Sequence, residues 1–144
     1  MKQRFKLIAS VYLLFVRNDK ILLLRRLNTG YEDGNYGLVS GHVDGNESLT
    51  AAAAREAKEE SGVTIDPREL RLKVVMHRIG NDERIDFFFE PQTWESEPKN
   101  MEPEKCDDLS WFPINTLPSN TIPYIREAIR CYQEALTYSE FGWR

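Results

Sequence analysis

The segment that leaves this chain least freedom is Ser48 to Ser61. Its residues are strong helix formers, Asn46 or Ser48 can cap its start, and Gly62 suits a left-handed stop. Inside that helix Glu56, Glu59 and Glu60 stand at i, i+3 and i+4, so their carboxylates share one face. Like charges at this spacing destabilise an isolated helix by about 0.2 to 0.5 kcal/mol per pair. They also crowd the C-terminal turns, where the macrodipole disfavours negative charge. Arg55 and Lys58 are the cations near enough in sequence to offset them. A divalent cation would supply the missing counter-charge, and an oxygen-only set of this kind suits Mg²⁺, which is completed by water and substrate phosphate. Taken alone, the triplet also fits a solvated acidic helix face.

Strands frame this helix. Leu7 to Val16 and Ile21 to Leu24 are apolar runs around Arg17-Asn18-Asp19-Lys20, which reads as a hairpin with an Asn-Asp turn. A basic start, Met1 to Lys6, before an apolar run has the outline of a signal peptide, but no small-residue cleavage pattern follows it. Neither run approaches the roughly 18 apolar residues of a membrane span. Asn28 to Gly37 is rich in turn formers and predicts an irregular loop, Leu38 to Ser40 a short strand, and Gly41 to Asn46 a tight loop. Arg71 to Ile79 and Ile85 to Glu90 predict strands around Gly80-Asn81-Asp82-Glu83, after a connection over Val63 to Leu70. Pro91 to Asp108 predicts a long loop, Leu109 to Phe112 a short strand, and Ile122 to Tyr138 a terminal helix with Ile122, Ile125, Ile129, Tyr132 and Leu136 at helical spacing. The order β-β-loop-α-β-β-β-α points to an α/β fold with a mixed sheet between two helices. With 144 residues, 41% hydrophobic and 11% aromatic, the chain can bury one core, and residues 1–144 are expected to form one domain. Cys106 and Cys131 are too few for a disulfide framework and are expected to be reduced thiols in a cytoplasmic protein.

The run Gly41-His42-Val43-Asp44-Gly45-Asn46-Glu47, followed seven residues on by Arg55-Glu56-Ala57-Lys58-Glu59-Glu60-Ser61-Gly62-Val63, resembles the Nudix box, G-x5-E-x7-R-E-U-x-E-E-x-G-U, where U is a bulky apolar residue. Every fixed position is matched; Ala57 is smaller than the usual first U, which bears on helix packing. The resemblance implies the Nudix fold, an α/β/α sandwich. It also implies a hydrolase that cleaves a nucleoside diphosphate linked to another group, using Mg²⁺, with Mn²⁺ as a substitute, and an attacking water. By the same resemblance Glu56, Glu59 and Glu60 hold the metal, the Gly41 carbonyl adds a ligand, and Glu56 is a candidate for orienting the water. Arg55 would fix a glutamate by a charge-assisted hydrogen bond, with Glu47 as its partner across the loop. Glu47 also suits the helix N-terminus as a charge favoured by the dipole.

Beyond the box, Glu97-Pro98-Lys99-Asn100-Met101-Glu102-Pro103-Glu104-Lys105-Cys106, Trp111-Phe112-Pro113 and Leu117-Pro118 resemble the MutT-type nucleoside triphosphate diphosphatases. This implies hydrolysis of a (d)NTP, with modified or oxidised purine nucleotides among the options, to NMP and pyrophosphate. An acidic loop residue would complete the metal site, Glu104 first and Glu102 second. Asn120 is similar in position to a base-reading asparagine of bacterial MutT, since an amide both donates and accepts; it equally suits a helix cap. Around Leu117 to Asn120 there is no aspartate pair, unlike the mammalian enzyme that acts on 8-oxo-purine nucleotides, which weighs against an oxidised purine. For the phosphate contact at the end of the second strand, Arg25 is preferred over Arg26, because alternate residues face opposite sides. Tyr36, with Tyr31, is a candidate for stacking on a base.

Charge distribution agrees with a small anionic substrate. The formal charge is -4, yet Met1 to Leu27 carries seven bases against one acid, while Gly41 to Glu60 and Glu95 to Asp108 are acidic. A small-molecule nucleotide is the expected partner, with no polymeric nucleic acid and no membrane, for a monomer or homodimer. The alternatives are a hydrolase of a nucleoside diphosphate linked to a sugar or other group, and a non-catalytic nucleotide-sensing module, against which the intact glutamate set argues.

Overall fold

The computed structural model describes residues 2–144, so Met1 of the basic N-terminal stretch lies outside the described residues. Strands β1 (Ile8–Leu13), β2 (Val16–Arg17), β3 (Lys20–Arg26), β4 (Tyr36–Gly37) and β5 (Ser40–His42) precede helix α1 (Leu49–Ser61). Then come β6 (Leu70–Ile79), β7 (Glu83–Pro91), β8 (Cys106–Pro113), helix α2 (Pro123–Gln133) and β9 (Tyr138–Phe141). A mixed sheet runs in the order β5-β1-β7-β6-β9, with β1 parallel to β7 and β6 parallel to β9. A second, antiparallel sheet is built around β3, which pairs with β2, β4 and β8.

Strand alternation sorts the side chains into two cores. Tyr12 and Leu14 join Val74, Met76 and Phe88 under Ile125, Ala128 and Ile129 of α2. Val11 and Leu13 join Phe89 under Ala52, Ala53 and Ala57 of α1. The mixed sheet therefore lies between the two helices. β3 serves both cores, Ile21 and Leu23 in the first and Leu22 and Leu24 in the second.

Helix α1 follows its local code. Ser48, not Asn46, is the cap: its side chain accepts the Ala51 N–H, while Asn46 sits in the left-handed region at φ 56°. Gly62 closes the helix at φ 72°. The carbonyls of Glu60 and Ser61, orphaned at the helix end, accept the N–H groups of Met101 and Lys99 at 3.3 and 3.0 Å. These bonds bring the long segment after β7 against the carboxylate end of α1.

Several expected boundaries move. The first apolar run splits, because β1 enters the mixed sheet and only Val16–Arg17 turns back on β3, over Asn18 and Asp19 at φ 53° and 60°. The short strand expected at Leu38 to Ser40 is displaced: β4 ends at Gly37, β5 begins at Ser40, and the two belong to different sheets. The long loop ends at Cys106, where β8 begins, rather than at Asp108. The terminal helix stops at Gln133 instead of reaching Tyr138: Ala135 turns left-handed at φ 57°, the Leu136 N–H bonds the Cys131 carbonyl, and Tyr138–Phe141 adds to β6 as an edge strand. Apolar spacing that continued to Leu136 gave no sign of this break, and Leu136 itself is exposed.

Candidate active site

The last two turns of α1 lean on β5. A Cβ at Gly41 would lie 2.1 Å from the Glu56 carboxylate, so glycine is what permits the approach. Glu56 is buried, Glu60 is partly buried with its Oε1 accepting the Ser40 N–H at 2.9 Å, and Glu59 stands in the open. Burial pushes the Glu60 carboxyl up to about 8; the Ser40 N–H and Arg26 oppose the rise, and the Glu56 and Glu102 carboxylates add to it. Burial also raises Glu56, against the pull of Arg55.

Arg55 is the hub of this wall. Its Nη2 donates to Glu47 at 2.8 Å and to the His42 carbonyl at 3.2 Å, and its Nε donates to Glu47 at 3.1 Å. Its Nη1 donates to Glu56 at 2.8 Å and reaches Glu59 at 3.5 Å, while Asp44 lies 3.3 Å from Nη2. Four carboxylates thus surround one guanidinium, and the wall carries an excess of negative charge.

The wall borders a cleft of about 800 Å³ whose lining includes Gly41, Glu56, Glu59, Glu60 and Glu102. This is a hard, oxygen-only donor set with uncompensated charge, which fits a divalent ion such as Mg²⁺. Among the described residues no three of these side chains close into a cage. An open wall is compatible with Mg²⁺, which keeps several waters and takes one or two carboxylates plus phosphate oxygens.

Four sequence-based assignments need correction. Glu104 is exposed and does not line the cleft; Glu102 does. Asn100 sets this difference: its side chain accepts the Glu102 N–H at 3.0 Å and donates to the Cys106 carbonyl at 2.6 Å, pinning the turn with Glu102 inward. Arg25 points away, pairs with Asp107 at 2.7 Å and lies over the Tyr36 ring, whereas Arg26 lines the cleft and donates to the Tyr31 carbonyl at 2.6 Å. Tyr36 is buried, with its hydroxyl on Asp108, and Tyr31 is the aromatic residue on the cleft. Asn120 neither reads the cleft nor caps α2: its Nδ2 donates to the Gly34 carbonyl at 2.8 Å, and α2 starts on Pro123 without a side-chain cap.

The NUDIX domain family model matches residues 6–132. The chain belongs to the NUDIX family. Enzymes of this family are pyrophosphatases that act on phosphorus-containing anhydrides, and they generally use divalent metal ions, typically Mg²⁺. The NAD-capped RNA hydrolase NudC of Stutzerimonas stutzeri is 31% identical over 114 residues, which cover 79% of this NUDIX chain and 39% of that protein. The chain therefore spans well under half of NudC. The phosphatase NudJ of Escherichia coli is 30% identical over 115 residues, covering 72% of this chain and 73% of NudJ. Among solved structures, the MutT NUDIX hydrolase from Burkholderia pseudomallei superposes with a TM-score of 0.80 at 26% identity, covering 88% of this chain and 98% of that one.

Strand parity was the signal for Arg26. Leu22 and Leu24 pack in the core beneath α1, and Arg26 continues their parity, while Arg25 continues that of Ile21 and Leu23. Choosing between them needed the side on which the carboxylate helix packs. Lys105, beside Glu102 on the same turn, also lines the NUDIX cleft and was not singled out.

Proposed function

We propose that this chain is a Mg²⁺-dependent pyrophosphohydrolase that converts a nucleoside triphosphate to the monophosphate and pyrophosphate, with residues 1–144 acting as one domain. The observation that carries the reading is that one cleft is lined by charges of both signs: Glu56, Glu59, Glu60 and Glu102, with Arg26 and Lys105 bordering the same space. A nucleotide polyphosphate with its metal matches both signs at once. In this reading Glu56, Glu59 and Glu60, the Gly41 carbonyl and Glu102 hold the metal, which neutralises charge on the phosphate oxygens. Arg26 and Lys105 bind those oxygens electrostatically, and Tyr31 offers a ring face to the base. Glu56, fixed by Arg55, orients the water; Glu47 is a positioning residue that acts through Arg55. Water adds to one phosphorus of the α–β anhydride, the bond to the bridging oxygen breaks, and the water proton leaves with the products to solvent.

The name of NudC, a hydrolase of NAD-capped RNA, supports a second reading in which the anhydride joins a nucleoside diphosphate to another group. Among the described residues no helix is long and apolar enough to cross a membrane, and the two cysteines, both free and buried, suit a reducing cytoplasm. The test is product analysis of purified protein with a nucleotide panel, with Mg²⁺ or with EDTA. Pyrophosphate and NMP are expected from a triphosphate with Mg²⁺ alone. Turnover in EDTA would overturn the metal site, and two mononucleotide products from dinucleoside substrates alone would transfer the reading to the second class.

A further inference from the structure

Part of the cleft lining, where β1, β6 and β7 meet, is built from charged groups that the proposed chemistry does not use. Arg78 on β6 is 8% exposed and Asp86 on β7 is 0% exposed, and they pair at 2.7 Å. The Arg78 guanidinium lies 3.7 Å from the centroid of the Tyr124 ring, and its Nη2 makes only long contacts, 3.5 Å each, to the Tyr12 hydroxyl and Asp86. Among the described residues Nη1 has no hydrogen-bond partner, and Arg78 borders the cleft. Ser10 stands opposite Asp86 in the β1–β7 ladder; its Oγ is fully buried, unpartnered, and on the same cleft lining.

A buried hydroxyl without a partner costs stability unless a ligand or water completes it. A buried ion pair is likewise weak evidence for stability, since apolar residues of similar volume serve as well or better. Both features therefore point to recognition. Asp86 neutralises Arg78, and Asp82 pairs with the neighbouring Arg84 at 2.7 Å, so this part of the cleft lacks the excess positive charge that a phosphate would require. What remains free is a guanidinium edge that can only donate, set beside an unpartnered hydroxyl that can donate or accept, over an aromatic floor.

We propose that Arg78 and Ser10 form a base-recognition point selective for 6-keto purines. Such a base presents two adjacent acceptors, N7 and O6, to a guanidinium, whereas adenine presents N7 beside an N6–H donor that Arg78 cannot accept. Ser10 supplies the further hydrogen bond, and Asp86 is a positioning residue that holds the guanidinium. The inference rests on the nucleotide reading above, and it deepens that reading by naming the base.

The test is calorimetric binding of GMP, IMP and AMP to the full chain in EDTA, which requires no turnover. GMP and IMP are expected to bind at least tenfold tighter than AMP, IMP showing that the shared keto edge and not the 2-amino group is read. Ser10→Ala and Arg78→Lys should each bring the ratio toward one, Ser10→Ala serving alone if Arg78→Lys fails to fold. A wild-type ratio near one, absence of binding by all three, or a ratio unmoved by Ser10→Ala overturns the proposal. Mg²⁺-dependent pyrophosphate release from ATP and GTP alike would stand through that outcome; loss of such release with the binding ratio intact would overturn the proposed reaction alone.

Discussion

Arg55 braces two of the carboxylates that line the cleft, Arg78 lines it directly, and the two arginines are surrounded in opposite ways. Arg55 faces Asp44, Glu47, Glu56 and Glu59, so its cluster holds more negative charge than one guanidinium can offset. Arg78 is matched by Asp86, with Tyr12 and Tyr124 completing its surroundings. The first cluster carries net negative charge and lies partly open to solvent. The second is balanced and closed, and presents donors from a fixed frame. The same side chain thus sits in a negatively charged, open wall or in a balanced, buried floor according to the count of carboxylates and the depth of burial.

That contrast predicts opposite responses to losing a carboxylate. Asp86→Ala should cost about 3–5 kcal/mol in urea unfolding, because it strands a buried guanidinium. The double replacement Arg78→Met with Asp86→Leu should recover most of that loss. A single variant within 1 kcal/mol of wild type, measured by the same unfolding, would show that the pair is not a closed charge cluster. On the carboxylate helix Glu60→Gln should lower kcat by about a hundredfold, as for loss of one electrostatic stabiliser. Its unfolding midpoint in EDTA at neutral pH should hold or rise, since the amide is neutral without taking up a proton on folding. Near-normal turnover would remove Glu60 from the metal site.

The pH response separates the clusters further. In metal-free protein the Glu60 carboxyl titrates near 8 against 4.5 unfolded, so the folded state binds the extra proton. Stability should be complete below pH 4.5 and fall as pH rises through 8. Between pH 6 and 8 the decline should be on the order of 2 kcal/mol. Denaturant midpoints followed across this range in EDTA should show the slope, and Mg²⁺ or Glu60→Gln should flatten it. A slope unchanged by both would place the titrating group elsewhere.

Legibility in the sequence followed the same division. The helix from Ser48 to Gly62 and the sharing of one face by Glu56, Glu59 and Glu60 depend on local spacing, and the structure has both. The Arg55–Glu47 pairing was legible only through the resemblance to the Nudix box, and the structure has it at 2.8 Å. Arg25 against Arg26 was not, since parity says that the two differ but the packing of α1 decides which faces the cleft. Arg78 and Ser10 carried no local signal at all. Their meeting point is made by the β1-β7-β6 order, which joins strands far apart in the chain. The break after Gln133 was hidden because parallel pairing with β6, a nonlocal interaction, outcompetes an amphipathic pattern that helix spacing would have continued.

Glu102 and Glu104 offer the finest comparison, because two glutamates on one turn differ only in direction. Asn100 bonds the Glu102 N–H and the Cys106 carbonyl, and the Lys105 N–H bonds the Glu102 carbonyl at 2.9 Å, so the turn is held from both sides. Glu102 is near enough to raise the Glu60 carboxyl, whereas Glu104 faces solvent. Glu102→Gln should therefore raise the Mg²⁺ concentration for half-maximal rate by about tenfold, the scale of losing one supporting ligand group. Glu104→Gln should leave it unchanged in the same titration. Asn100→Ala should act like a weakened Glu102→Gln, because it frees the turn without removing the carboxylate. Equal effects of the two glutamate variants would show that bulk charge on the loop, not the inward direction set by Asn100, governs the metal requirement.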